Sequence, residues 1–450
     1  MKFKILIANR GEIAVRIIRA ARDLGLESIV VYSTADKDSL AVKLADQSVC
    51  IGPPPASESY LFYQNIISAA LAINADAIHP GYGFLAENGD FADACRAMKI
   101  KFIGPKSNVI RRMGDKAKAK SLMKDSGIPV VPGSDGVIES LDSALEVIEK
   151  TGFPIILKAS AGGGGKGMRI VNEKKELEKA YNFASAEAQQ AFGDSRLYIE
   201  KYIASPKHIE VQILGDRHGN VVHLFERDCS IQRRHQKLLE EAPSPAIDKN
   251  IRKKLGEIAV QAAKSVEYDS AGTIEFLYDM ETKEFYFMEM NTRIQVEHPI
   301  SEEITGIDLI KYQIKIVNEE KLDINQEDIK RNGHSIECRI NAEDPENGFN
   351  PTPGKITQLI LPGGPGVRID SGVYPGYTIP PFYDSMVAKL IVWGKNRKEA
   401  LERMKRALAE FYIEGIKTTI PFHKQVMKNK EFLRGHYTTD FVNKFLAEGE

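Results

Sequence analysis

Residues 1 to about 113 alternate short apolar runs with stretches of helical period, a rhythm that leaves few ways to fold. Apolar segments at 3–8, 28–32, 75–79 and 100–103 read as strands, and 11–24, 60–72 and 88–98 read as helices. Strands joined through helices pair in parallel, because each crossover returns the chain to the same end of the sheet. The first unit is therefore expected to be a parallel sheet covered by helices, in a mixed α/β fold.

At 450 residues the chain exceeds one hydrophobic core. A second region, about 114–330, combines a glycine-rich run with predicted helices at 173–190 and 248–265 and strands near 207–227 and 271–291. A third, 331–450, holds strand-like segments at 334–340, 355–361 and 385–393, then a charged helix at 397–411. The formal net charge of -1 points to neither nucleic acid nor a membrane surface as partner. No apolar run approaches the roughly 18 residues of a membrane span. The N-terminus enters its first strand with no leader pattern ahead of it, and Cys50, Cys95, Cys229 and Cys338 lack metal or redox spacing. A cytoplasmic protein with reduced thiols is the expectation.

Three segments carry chemistry. ASAGGGGKGM (159–168) follows an apolar strand at 153–157 and is expected to precede a helix. Its glycines let backbone N–H groups approach phosphate oxygens with no Cβ in the way. Lys166 is followed by Gly167 rather than Ser or Thr, so this is not a P-loop. Lys158, at the strand's end, is placed to pair with a phosphate.

The second segment, TIEFLYDMETKEFYFMEMNTRIQVEH (273–298), reads as two strands. A hairpin symmetric about Thr282 sets Glu275 opposite Glu289. Opposed carboxylates repel, and a hard divalent cation such as Mg²⁺ between them removes the repulsion. Beyond Glu289 the same face continues through Asn291, Arg293, Gln295 and Glu297, alternating with Met290, Thr292, Ile294 and Val296. Fully extended at about 3.3 Å per residue, that run overshoots one pocket, so a bend is expected after Arg293. The third segment, RDCSIQRRHQK (227–237), crowds Gln232, Arg233, Arg234, His235 and Lys237 together, which suits an anionic ligand; a solvated loop is the alternative.

These segments fall in linear order with IANRGEIAVRIIRA, HPGYGFLAEN, GPK, MGDKAKAK, ECRINAEDP and PPFYDSMVAKL. Over essentially the whole chain the series resembles the biotin carboxylase family. The resemblance implies an ATP-grasp fold, with a Rossmann-like N-terminal domain (1–113), an ATP-grasp domain (114–330) whose lid spans about 131–203, and the family's C-terminal domain (331–450). It implies carboxylation of biotin on a carrier protein by bicarbonate, driven by ATP with Mg²⁺ or Mn²⁺.

The resemblance also assigns residues. Lys116 and Lys158 would contact phosphates, with Gly163, Gly164, Gly165, Lys166, Gly167 and Met168 closing over the nucleotide. Glu200, Lys201 and Ile203 would hold the adenine edge, Leu277 its face, and His208, Gln232 and His235 the ribose. Glu275, Glu289 and Asn291 would ligate the metal. Lys237, Arg293, Gln295 and Val296 would bind bicarbonate, Glu297 would be the general base, Arg339 would stabilise the biotin anion, and Tyr82 would line the biotin pocket. Ala161 and Lys166 stand where glycine and arginine are common in the family, and Pro365 stands where an aromatic residue is expected near a two-fold dimer interface. The implied partners are a biotin carboxyl carrier protein, a carboxyltransferase on a separate chain and a second copy of this chain.

Two motifs are set aside. Gly81, Gly83 and Ala86 match dinucleotide-binding spacing but lack the acidic residue about 20 positions on. Lys99 in AMKI resembles a biotinylated lysine yet lies between a helix and a strand, not in an all-β carrier. The rival readings are another ATP-grasp carboxylate ligase, of carbamoyl-phosphate or purine-pathway type, and a non-catalytic nucleotide-binding regulatory chain.

Overall fold

The computed structural model describes residues 2–160 and 167–447. Gly163, Gly164, Gly165 and Lys166, expected at the nucleotide phosphates, lie outside the described residues. The N-terminal unit is a five-stranded parallel sheet in the order β3-β2-β1-β4-β5. Its strands are β1 (Lys4–Ile7), β2 (Glu27–Ser33), β3 (Gln47–Gly52), β4 (Ala77–His79) and β5 (Lys101–Phe102). Ile5 and Ile7 enter one core while Leu6 and, just past the strand, Ala8 enter another, so β1 is apolar from Ile5 onward, as a parallel strand covered on both faces must be. β3 escaped the sequence reading. It is an edge strand, and only Ile51 of its QSVCIG is buried, so it carries no hydrophobic period.

The segment expected to form the lid, hereafter the lid, holds a three-stranded sheet, β7-β6-β8, of β6 (Ile155–Ala159), β7 (Met168–Val171) and β8 (Leu197–Lys201). Helices Leu141–Thr151 and Leu177–Phe192 pack on it around a separate core that includes Ile148, Leu157, Val171, Leu177 and Ile199. This corrects one expectation. The segment after the glycine run is a strand antiparallel to β6, with Lys158 opposite Met168, and the helix begins only at Leu177. The β-branched pair in Met-Arg-Ile-Val favours the sheet edge that β6 offers. Lys158 lies near the end of β6, one residue before its last.

Strands β9 (Lys207–Gly215), β10 (Val221–Arg233), β11 (Gln236–Ala242), β12 (Ala271–Tyr278), β13 (Phe285–Asn291) and β14 (His334–Asn341) join Met386–Gly394 and Val367–Ser371 in one eight-stranded antiparallel sheet. Its order is β13-β12-β9-β10-β11-β14, then those two strands. The β11–β14 ladder carries it across the boundary expected near 330. Helix Arg397–Glu410 covers the far end with Ala400, Leu401, Met404, Ala407 and Leu408. That three-and-four spacing is what made the helix readable.

In the β12–β13 hairpin Glu275 faces Glu289, as symmetry about Thr282 required. Nearer the turn the pairing is one residue out, Phe276 opposite Phe287, and a bulge beside Glu275 restores the register. The strand ends at Asn291, a little earlier than expected, and the chain bends into the helix His298–Thr305.

Between β9, β10 and β12 the Arg227 guanidinium is fully buried. It donates to Glu210 Oε1 at 2.5 Å, Gln212 and Ser301 at 2.6 and 3.0 Å, and Thr273 and Gln295 at 3.1 and 3.0 Å. Removing one member of a buried pair strands the other charge, at about 3–5 kcal/mol. R227M is therefore expected to melt well below the parent chain, and adding E210Q to it should recover part of the loss. Melting temperatures of the two single variants and the double variant check this; strictly additive losses would contradict it.

Candidate active site

A cavity of about 880 Å³ opens between the lid and the large sheet. The lid side contributes Lys158, Met168, Glu200, Lys201 and Ile203, and the sheet contributes His208, Gln232, His235, Lys237, Glu275, Leu277, Glu289 and Asn291. Lys116 enters from the start of helix Lys116–Asp125; Arg293, Gln295, Val296 and Glu297 come from the bend, and Arg339 from β14. The structure thus brings together residues that stand more than two hundred positions apart.

At its centre Lys237 Nζ meets three carboxylates: Glu210 Oε2 and Glu297 Oε1 at 2.6 Å, and Glu275 Oε1 at 3.1 Å. Burial alone would strip the lysine of its proton, but the three anions outweigh it and hold its pKa well above the ordinary value. Burial likewise raises Glu297, and Lys237, Arg339 and Arg227 more than offset that, leaving its carboxyl below the usual range. Arg339 Nη2 reaches Glu297 Oε2 at 2.9 Å while its Nε donates to Glu240 Oε1 at 2.6 Å. A base held ionised between two cations accepts a proton only from a partner placed directly against it.

The hairpin carboxylates fit a hard cation. Glu275 and Glu289 share a face, and Asn291 donates to Glu275 Oε1 at 2.7 Å, forming an all-oxygen set with its own amide oxygen. Lys116 Nζ lies 3.2 Å from Glu289 and His208 Nε2 lies 2.8 Å from Glu275. Burial lowers the His208 pKa, the Glu275 charge reverses that, and the net direction is upward. The reactive atoms of His208, Glu210 and Glu275 lie within 4.8 Å of one another, a further group able to hold a metal.

Other assignments resolve differently. Gln232 pairs with Lys237 across the β10–β11 turn, where Arg234 and His235 both take left-handed φ, 49° and 64°. That geometry suits a two-residue turn but is costly without glycine, and strain of this kind collects at functional sites. The crowded basic segment is thus divided. Arg227 is core, Lys237 is central, and Arg233 is spent on the Gly348 carbonyl at 2.7 Å. Gly167 has φ 69°, and a Cβ there would lie 2.8 Å from that of Ala159, so only glycine fits. Glu200 is the shared counterion of Lys120 at 2.9 Å and Lys158 at 2.5 Å. Tyr82 is not among the cavity's lining residues. Its hydroxyl donates to Glu12, and it lies 3.9 Å from Sδ of Met386, a residue of the wall.

Several contributors were missed from sequence. Glu210 had a signal, since His208, Glu210 and Gln212 alternate with Ile209, Val211 and Ile213 in a wholly buried strand. Glu87 had none beyond its place in HPGYGFLAEN. It accepts from Arg293 Nε and the Thr292 backbone N–H, both at 2.9 Å, and anchors the bend.

Three family models match the chain: the biotin carboxylase N-terminal domain over residues 1–110, the ATP-binding domain of the carbamoyl-phosphate synthase L chain over 115–325, and the biotin carboxylase C-terminal domain over 337–444. Biotin carboxylase 1 of Bacillus subtilis is 55% identical over 446 residues, covering 99% of both chains. Among solved structures, the biotin carboxylase–β,γ-ATP complex from Campylobacter jejuni superposes with a TM-score of 0.94 at 52% identity, over 99% of each chain. The biotin carboxylase domain dimer of the Hydrogenobacter thermophilus 2-oxoglutarate carboxylase, with MgADP, ADP and bicarbonate, gives 0.94 at 50% identity over 100% of this chain and 99% of that one. The flanking domains separate the chain from carbamoyl-phosphate enzymes that share the central match, and the chain belongs to the biotin carboxylase family.

Proposed function

We propose that this chain carboxylates biotin presented on a carrier protein, consuming ATP and bicarbonate and releasing ADP and phosphate. The observation that supports this best is Glu297, an ionised carboxylate gripped by Lys237 and Arg339 beside the Glu275–Glu289 pair.

Bicarbonate is a weak nucleophile until it loses its proton. In this reading Glu297 takes that proton, while Lys237, Arg293, Gln295 and the Val296 backbone hold the anion. A carboxylate oxygen then attacks the γ-phosphorus in line as the bond to ADP breaks. Phosphoryl transfer is mainly positioning and charge neutralisation, and Lys116 and Lys158 supply cations on the phosphate side. Mg²⁺, when bound by Glu275, Glu289 and Asn291, adds neutralisation of the phosphate oxygens. Gly167, at the exit of the covering loop, and Met168, the first residue of β7, lie on the covering side. Glu200, Lys201, Ile203 and Leu277 form the base pocket, and His208, Gln232 and His235 the ribose side. The carboxyphosphate so formed breaks down to CO₂ and phosphate, that phosphate takes the proton of the biotin ureido N–H as the nitrogen attacks CO₂, and Arg339 faces the developing oxyanion as a preorganised cation. Exclusion of water by the lid protects the labile intermediate. A carrier protein, a carboxyltransferase and a second copy of the chain complete the expected assembly, in the cytoplasm.

Phosphate release from MgATP by the purified chain should require bicarbonate and rise strongly with free biotin; release indifferent to both would refute the reading. R339Q should abolish the rise with biotin, by roughly 10²–10³ in rate, and leave bicarbonate-dependent ATP cleavage far less affected. E289Q should raise the Mg²⁺ concentration for half-maximal rate by at least about tenfold, seen in metal titrations at saturating ATP. Glu297 acts as its carboxylate, so activity falls as pH drops through its lowered pKa. Replacing Lys237 removes the group that lowers it. The acid limb of the residual kcat/KM profile of K237Q should therefore move to higher pH.

A further inference from the structure

One buried pair of acids lies behind the groups used above. Glu337 is on β14, two positions before Arg339 on the same sheet face, and its ladder partner on β11 is Glu240. Both are fully buried. Opposed residues in such a ladder have Cβ atoms roughly 4.5–5.5 Å apart. Glu240 gives Oε1 to Arg339, but its Oε2 has no partner, and neither oxygen of Glu337 has one. The charged groups facing Glu337 are Lys389 from the strand on one side, Glu240 from the other, Arg339 on its own strand, and Glu297 at the bend. Lys389 itself is engaged, donating to the Val296 carbonyl at 2.8 Å and lying 3.2 Å from Glu12.

An ionised carboxylate with no donor in a dry interior is the costliest state available to this side chain. A carboxylic acid brings its own donor, and the ladder partner offers a free acceptor. One proton therefore engages Glu240 Oε2 and one of the two Glu337 oxygens, and leaves the other as a neutral carbonyl. We propose that Glu337 is a neutral carboxylic acid that donates to Glu240 Oε2, and that it is a positioning residue: it fixes Glu240, which aims the Arg339 guanidinium at Glu297 and at the space biotin enters. Burial, with Glu240 adding to it, pushes the Glu337 carboxyl well above the ordinary range against the opposing pull of Lys389. Burial pushes Glu240 up to about 7 even against Arg339, so the pair keeps a proton in neutral solution.

The kinetic consequence rests on the proposed role of Arg339; the proton does not. Difference infrared spectra of the full chain, parent against E337Q at pH 8, should show a protonated-carboxyl C=O band present in the parent and lost in the variant. Its absence from the parent overturns the proposal, whatever reaction the protein catalyses. E337Q keeps an N–H donor for Glu240 and should retain most of the biotin-stimulated phosphate release. E337M keeps the bulk without a donor, and should lose about tenfold or more in kcat with the KM for ATP unchanged. Equal rates for E337Q and E337M would overturn the positioning role. Should E337M not fold, the infrared band still decides whether Glu337 carries the proton.

Discussion

One ammonium group holds the interior of this protein together. Lys237 stands among Glu210, Glu275 and Glu297, which come from two strands and the mouth of a helix. Three carboxylates buried this closely cannot all stay ionised without a cation among them. Arg227 takes the far side of Glu210 and Arg339 the far side of Glu297, so anions and cations alternate through the sheet. Such a lattice spends stability to keep charges dry, and what it gains is a fixed field at the place where charge must move.

The lid repeats the device at smaller scale. Glu200 on β8 serves Lys158 on its own sheet and Lys120 on the helix below, so one buried carboxylate joins the lid to the body. The Lys120 and Lys158 contacts fix Glu200 in the cavity wall. Gly167 and Ala159 pack too closely for any other residue at the loop's exit.

Much of this could be read from the chain alone, and the failures have physical causes. The Glu275–Glu289 pairing followed from hairpin arithmetic, and it held because a bulge absorbed the one-residue slip near the turn. The parallel sheet announced itself through short apolar runs alternating with helical stretches, whereas the exposed edge strand Gln47–Gly52 had no such run. The segment Met168–Val171 is too short to separate from a helix by periodicity. Glu210 was visible in its alternation but not weighed. Glu87, Glu240 and Glu337 act through partners far off in sequence, Arg293 being 206 residues from Glu87, and no local pattern encodes such a meeting. The resemblance to a known family named the residues expected to meet substrates; the ones that hold those residues in place came only from the structure.

The unbroken eight-stranded sheet has a mechanical consequence. Lys237 on β11 and Arg339 on β14 sit on adjacent ladder strands, one from each side of the expected domain boundary. The half proposed to handle phosphate and the half proposed to receive biotin are therefore welded at the seam by backbone hydrogen bonds. The distance between the two chemistries is a constant of the scaffold, like the gap between the jaws of a fixed gauge.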